Sequence, residues 1–307
     1  MSGGLVALSF TGVAAMRVVQ AVCSKKVSNV VDGKETFRYG GYYQLLSTLF
    51  SLITLVIIGF HGFNWQTVLC GLGTALFLAL ELFASIEALK GCSLIVQQMF
   101  TVGALFIPCI VGIFLFDEPM SIWQWLGLLL FMVSMYFLVA PAKNKNKDEE
   151  KPKKMSLRTW IMLIMGLFAS GGTMVVQKVF SVLVPNGNVA AYSFLMFAFS
   201  ALLLYVAYFM LCIAQKNEVK TEKKYKPLSK ILLICGAFLA FAVFVVNMLV
   251  TELGKTVESA ILFSVSYAIS IIITILVSAL YYKEKITWKN AFGILLCVGS
   301  LAIINFL

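Results

Sequence analysis

The sequence predicts an all-α membrane protein of ten transmembrane helices arranged as two inverted five-helix repeats. Three observations lead there. The 307 residues are 61% hydrophobic and 12% charged, with a mean hydropathy of +0.94, more apolar surface than a water-soluble core of this size uses. Apolar stretches of roughly 20 residues, the length that crosses a bilayer as a helix, recur from end to end. A set of polar landmarks appears twice, in the same order.

The stretches are Gly4–Val22, Gly41–Phe60, Val68–Ala88, Leu94–Phe116, Ile122–Ala140, Leu157–Val176, Val189–Ile213, Lys230–Val250, Ser259–Tyr281 and Trp288–Phe306. A membrane barrel would alternate apolar and polar residues in segments of about ten. Runs such as Ile231–Leu249 are continuously apolar, which leaves helices. The first stretch has no Lys or Arg before Arg17 and no small-residue cleavage site ahead of Cys23. It therefore reads as a span and not as a cleaved signal.

The formal net charge of +10 resides in loops bordering lipid, so anionic headgroups are the expected partner and nucleic acid is not. Seven cysteines are scattered singly, without a Cys-x-x-Cys spacing, and His61 stands alone in a short loop, so no metal site is expected. No Gly-rich phosphate loop is present, which argues against ATP drive within this chain, and no cofactor is expected.

Pro141–Ser156, PAKNKNKDEEKPKKMS, is the long polar segment near the middle of the chain and reads as a solvated linker. It divides a first repeat, 1–140, from a second, 157–307. Glu118, Gly127 and Ser134 in EPMSIWQWLGLLLFMVS have the spacing of Glu284, Gly293 and Ser300 in EKITWKNAFGILLCVGS. Upstream, Glu87 and Lys90 match Glu252 and Lys255, Val18-Val19-Gln20 matches Val175-Val176-Gln177, and Tyr43 with Phe50-Ser51 matches Tyr192 with Phe199-Ser200. Five spans per repeat force the second half to thread the membrane in the opposite sense. That is the plan of secondary transporters whose solute site lies between the halves near the midplane.

ALKGCS leading to FDEPMSIWQWLGLLLFMVS, and LGKTVESAIL leading to YYKEKITWKNAFGILLCVGS, resemble the drug/metabolite transporter superfamily, in particular its EamA-type ten-helix members. The resemblance implies a basket of ten helices around a central cavity and export or exchange of metabolites, amino acids, nucleotide-sugars or drugs. It also implies cytoplasmic termini, and here the loop charges disagree. Loops after spans one, three, five, seven and nine carry 4, 1, 7, 6 and 3 of the 24 Lys and Arg; the opposite loops carry Lys178 and Lys255. The positive-inside rule then puts both termini outside.

Ionisable and amide side chains at membrane depth are the candidate substrate-binding groups, because a charge there costs about 2.5–3.5 kcal/mol on insertion scales. Glu81 stands within the third span and reads as a binder of a cationic group or carrier of the coupling proton; the alternative is a carboxyl that snorkels or bonds between helices. Arg17, late in the first span, reads either as a carboxylate ligand, a partner of Glu81 or a headgroup contact. Gln20 and Gln177 are repeat mates, with Ser170 and Thr173 on the face of Gln177. Gln97, Gln98 and Thr101 open the fourth span. Tyr267, Ser270, Thr274 and Ser278 form a stripe in the ninth. Asn247 falls close to the repeat equivalent of Glu81. Each of these polar groups has a packing alternative, as glue between helices. Pro108 marks a kink or hinge in the fourth span, and Glu118, Glu284 and the two Glu/Lys pairs read as scaffold at helix ends.

The resulting expectation is a secondary transporter in the bacterial cell membrane, moving a small-molecule solute with a coupling proton or counter-solute, among membrane lipids, as a monomer or homodimer. A non-transporting scaffold or sensor is the alternative. An intramembrane enzyme would need a catalytic cluster that this chain's single loop His and lone mid-depth carboxyl do not supply.

Overall fold

The computed structural model describes residues 3–31, 33–92, 94–117, 120–139, 156–216, 228–281 and 288–306. Residues 141–155 of the linker and the recurring Glu118 and Glu284 lie outside the described residues, as do the side chains of Thr274 and Ser278. The described chain is helical: α1 Gly3–Ser28, α2 Lys34–Ile58, α3 Trp65–Gly91, α4 Leu94–Gly103, α5 Phe106–Leu115, α6 Ile122–Val139, α7 Leu157–Leu183, α8 Val189–Lys216, α9 Lys230–Leu253, α10 Ser259–Tyr281 and α11 Trp288–Phe306. Seven stretches among the described residues are long and apolar enough to cross a membrane, and one of them, Val96–Leu115, runs through α4 and α5 together. Counting α4 with α5 leaves ten spans.

Local chemistry sets several boundaries. Ser156 and Ser229 cap α7 and α9, accepting from the backbone N–H of Thr159 at 3.2 Å and of Leu232 at 3.4 Å. Asn188 does the same for α8 through the N–H of Ala190 at 2.9 Å. The break between α4 and α5 falls four residues before Pro108. Proline has no N–H to give Ala104, and its ring crowds that carbonyl. The Ala104 carbonyl instead accepts from Ile107 at 3.1 Å, and Leu105 donates to Val102 at 3.0 Å, a tight turn in place of the α-helical ladder.

Several helices outrun their apolar stretches. α1 continues to Ser28 because Lys25 and Lys26 suit the negative end of the helix dipole. Arg17 is consequently beyond the middle of α1, eleven residues from its end, and not near a terminus. α7 runs to Leu183, so Lys178 is a helical residue and not the loop residue expected from hydropathy. It is also buried, 4% exposed.

The two halves interlock. α1 packs on α9 and α10 while α7 packs on α3, α4 and α5; α3 meets α8 as α9 meets α2; α2 pairs with α8 and α6 with α11. Exchanging the halves maps each pairing onto another or onto itself, the arrangement two inverted repeats produce. The recurring Gly and Ser residues serve this packing. A Cβ on Gly127 would stand 2.5 Å from Ile304 Cγ1 and 3.0 Å from the Ser300 carbonyl oxygen, so α6 and α11 touch there as glycine permits. Ser134 and Ser300, repeat mates, both donate three residues back, to Phe131 at 2.6 Å and Cys297 at 2.7 Å. Large apolar side chains such as Ile53, Ile57, Phe209 and Leu295 remain exposed on the outside, where lipid covers them.

Candidate functional site

A cavity of about 130 Å³ opens where α1, α3, α4, α7, α9 and α10 converge. Each long helix contributes one stripe at three- and four-residue intervals: Arg17, Gln20, Ala21 and Ser24 from α1; Leu78, Glu81, Leu82 and Ser85 from α3; Ser170, Thr173, Met174 and Gln177 from α7; Val243, Val246, Asn247 and Val250 from α9. Gln97, Gln98 and Thr101 come from α4, Tyr267 from α10 and Tyr43 from α2.

Arg17 does not pair with Glu81. Its guanidinium lies over the Tyr267 ring, 3.8 Å from the centroid, a contact worth about 0.5–2 kcal/mol, and its buried Nε has no hydrogen-bond partner. Glu81 stands near enough for the two charges to interact, with Tyr43 and Tyr267 in the same field. The hydroxyls of Ser170 and Thr173 face the Glu81 carboxyl from α7. Thr173 donates to the Ala169 carbonyl at 3.1 Å, whereas Ser170, 1% exposed, has an unpartnered Oγ.

The amides form a second group. Gln177 donates from Nε2 to Asn247 Oδ1, and Asn247 donates to the Val243 carbonyl at 2.8 Å. On the other side Gln97 donates to Thr101 Oγ1 at 2.9 Å and Ser85 Oγ at 3.2 Å, and Gln98 to Gln97 Oε1 at 3.1 Å. Arg17, Gln20, Glu81, Gln97, Gln98, Gln177, Asn247 and Tyr267 thus share one cavity. Ser270 does not join them: it is buried with its Oγ donated to the Ser266 carbonyl at 2.6 Å.

Residues 157–306, the second half of the chain, match the EamA-like transporter family. That half of the chain is thus similar to a family of the drug/metabolite transporter superfamily. A solved crystal structure of a protein superposes with a TM-score of 0.68 at 15% identity, covering 98% of this chain and 97% of the other, a likeness of fold alone. No curated protein matches the sequence. The long apolar helices, with this family match, support a multi-pass membrane protein.

The ends of the cavity helices are tied by lysines. Lys25 from α1 donates to the carbonyls of Leu89 and Cys92, each at 3.1 Å. Lys178 from α7 donates to those of Gly254 at 3.3 Å and Val257 at 2.9 Å. The acceptors are repeat mates, each 165 positions apart, as are the pairs Glu87/Lys90 and Glu252/Lys255. Glu87 is buried and also receives Arg158 of α7 at 2.8 Å and Thr36 Oγ1 of α2 at 3.2 Å. Glu252 pairs with Lys255 at 2.9 Å near the surface.

Sequence reasoning passed over Tyr43, Met174 and the valines of α9. Tyr43 had a signal, its place among the repeat landmarks. The valines and Met174 had none, because apolar residues lining a cavity look like those facing lipid.

Proposed function

We propose that the protein is a secondary transporter that moves a small metabolite across the cell membrane by alternating access, driven by a proton or by exchange. One observation carries the reading: oppositely charged Arg17 and Glu81 line one cavity between the chain halves, at a depth where charge without a task is costly. The repeats divide at the charged linker, 1–140 and 157–307 flanking 141–156, a division supported by the family match beginning at residue 157. Both halves then contribute to the cavity, so rocking one against the other exposes it to alternate sides.

The odd-numbered loops face the cytoplasm and both termini lie outside. Moving Lys178 from a loop into α7 sharpens that charge asymmetry, since Lys255 is then the one basic residue of the described loops on the opposite side. Ten spans enclose the pathway in one chain, so the monomer suffices.

The test is transport in proteoliposomes under an imposed pH gradient, using a panel of amino acids, purines, sugars and organic cations, wild type beside Glu81→Gln. Gradient-driven movement of one solute class, abolished by Glu81→Gln in a folded protein, is the expected result. Exchange that persists in Glu81→Gln assigns coupling to a counter-solute. No movement of any solute overturns the transporter reading in favour of a scaffold or sensor.

A further inference from the structure

We infer that a lipid-facing groove between α3, α4 and α7 binds an anionic phospholipid, its phosphate on Arg158 and Lys90 and one acyl chain lying along Gly166. The inference rests on the membrane reading of the chain and not on transport, so it stands whether or not the cavity carries a solute.

The groove exists because the repeats differ there. Ala84 and Ala88 of α3 line it with Met162, Gly166 and Leu167 of α7 and Phe100 of α4. By the repeat offsets Ala84 and Ala88 correspond to Leu249 and Leu253 of α9, and Gly166 to Ser9 of α1. At that second place Leu249 and Leu253 pack with Val6 and Phe10 of α1 into one apolar core. Two alanines and a glycine, in place of two leucines and a serine, leave the same seam open. Met162, Gly166, Leu167 and Phe100 keep part of their surface exposed, beside Ile161, Ile164 and Phe168, which face the hydrocarbon from the same stretch of α7. An opening at that depth does not stay empty, because unfilled space forfeits dispersion contacts, and an acyl chain is the flexible hydrocarbon that reaches it. Ser85, Gln97 and Thr101 line both this groove and the central cavity, so a chain in the groove forms the outer layer of the cavity wall.

The mouth of the groove is cationic. Arg158 stands one helical turn before Met162 on α7, and its side chain is 69% exposed although one nitrogen bonds Glu87 at 2.8 Å. Lys90 and Arg158 share that single buried carboxylate, and Lys25 joins them through the carbonyls of Leu89 and Cys92 at the same end of α3. Glu35 of α2 is taken by Arg38. The end of α3 therefore holds two positive charges in excess. The matching end of α9 balances, with Lys178 and Lys255 beside Glu252 and Glu258. Excess charge and open seam coincide at one end of the fold, and at the other the described residues show neither. An anionic headgroup neutralises the excess, and the exposed guanidinium offers a phosphate its remaining N–H donors. Trp160 is exposed beside Arg158, at the level where indole rings meet headgroups, and its ring packs edge-on to Phe100 of α4 at 5.8 Å. A zwitterionic lipid fills the groove equally well but leaves the charge, so the site selects the anionic class.

The experiment uses the full chain, purified in detergent, with native mass spectrometry to measure bound lipid and melting curves to report stability. The probes are dioleoyl phosphatidylglycerol, dioleoyl phosphatidylcholine and, as the soluble headgroup, glycerol 1-phosphate. Phosphatidylglycerol is expected to bind about fivefold or more tightly than phosphatidylcholine and to raise the melting temperature. Arg158→Gln should remove that preference, and Arg158→Lys should keep part of it. Lys230→Gln, which removes an exposed charge at the start of α9, should leave it unchanged. Gly166→Leu fills the groove, its Cβ standing 3.5 Å from that of Ala84, and should weaken both lipids. Lipid-free melting temperatures report the folding of each variant. Because Gly166→Leu leaves every charge in place, it tests the site even where Arg158→Gln does not fold. Equal binding of the two lipids, a preference that survives Arg158→Gln or falls as far in Lys230→Gln, or undiminished binding to Gly166→Leu each overturns the inference. Displacement of phosphatidylglycerol by an equal concentration of glycerol 1-phosphate makes this a site for a soluble phosphate and overturns it as well.

Discussion

Gln177 of α7 donates its side-chain amide to Asn247 of α9 inside the cavity wall, and the repeat mate of Gln177, Gln20, lines the same cavity from α1. One glutamine thus binds helix to helix while its counterpart faces the space between them. Gln177→Leu leaves the Asn247 carbonyl oxygen buried and unpaired, at a cost of about 1–3 kcal/mol in water-soluble proteins and at the lower end of that range in membranes. The expected outcome is a lower melting temperature for the single variant and partial recovery in Gln177→Leu/Asn247→Leu, measured in detergent with a fluorescent thiol or intrinsic-fluorescence readout. Recovery no better than the sum of the single losses would show that the amides do not act as a pair.

Tyr267 holds Arg17 by the face of its ring, and its hydroxyl interacts with Arg17 and Ser170 as well. Tyr267→Phe keeps the face and should retain transport within about threefold, whereas Tyr267→Leu removes a contact of about 0.5–2 kcal/mol and should raise the apparent KM about two- to thirtyfold. Initial rates across substrate concentration check this; equal behaviour of the two variants would remove the cation–π contact from the site.

The two lysine ties differ in burial. Lys178 is 4% exposed, and its removal leaves the carbonyls of Gly254 and Val257 without that donor. Lys25 is half-buried, so water replaces it more readily at the carbonyls of Leu89 and Cys92. Lys178→Met should destabilise by about 1–3 kcal/mol and Lys25→Met by less. Denaturation in mixed detergent ranks them, and the reverse order would count against burial as the deciding factor.

Cys23 of α1 and Cys235 of α9 have thiols in mutual contact, a juxtaposition across the halves. In a background with the other cysteines replaced by alanine, a membrane-permeant oxidant should join them in a disulfide, detected as protection of both thiols from alkylation by mass spectrometry. Thiols that stay fully alkylatable would show that α1 and α9 pack otherwise than described.

Much of this was legible in one dimension. The apolar stretches mark the helices because a backbone in lipid must satisfy its own hydrogen bonds. The polar residues that interrupt them mark the cavity because such residues are costly facing lipid. That is how Glu81, Arg17, Gln20, Gln177 and Asn247 stand out before any coordinates. Ser270 stood out on the same grounds, yet its hydroxyl turns back to its own helix, an outlet open to any serine in a span and invisible in spacing. Met174 and Val246 stayed silent because hydrocarbon toward a solute and hydrocarbon toward lipid are chemically alike.

By itself the sequence determined the helical class, the spans, the two halves and the faces each helix presents, all consequences of local periodicity and of the solvent around the chain. Only the tertiary structure decided which faces meet. It set Arg17 on Tyr267 rather than on Glu81, joined Gln177 to Asn247, drew Lys178 into α7 as a tie and left Ser170 unpartnered. Those outcomes depend on rotation and separation between helices distant in sequence, which packing of side chains across the halves fixes and spacing along one helix does not.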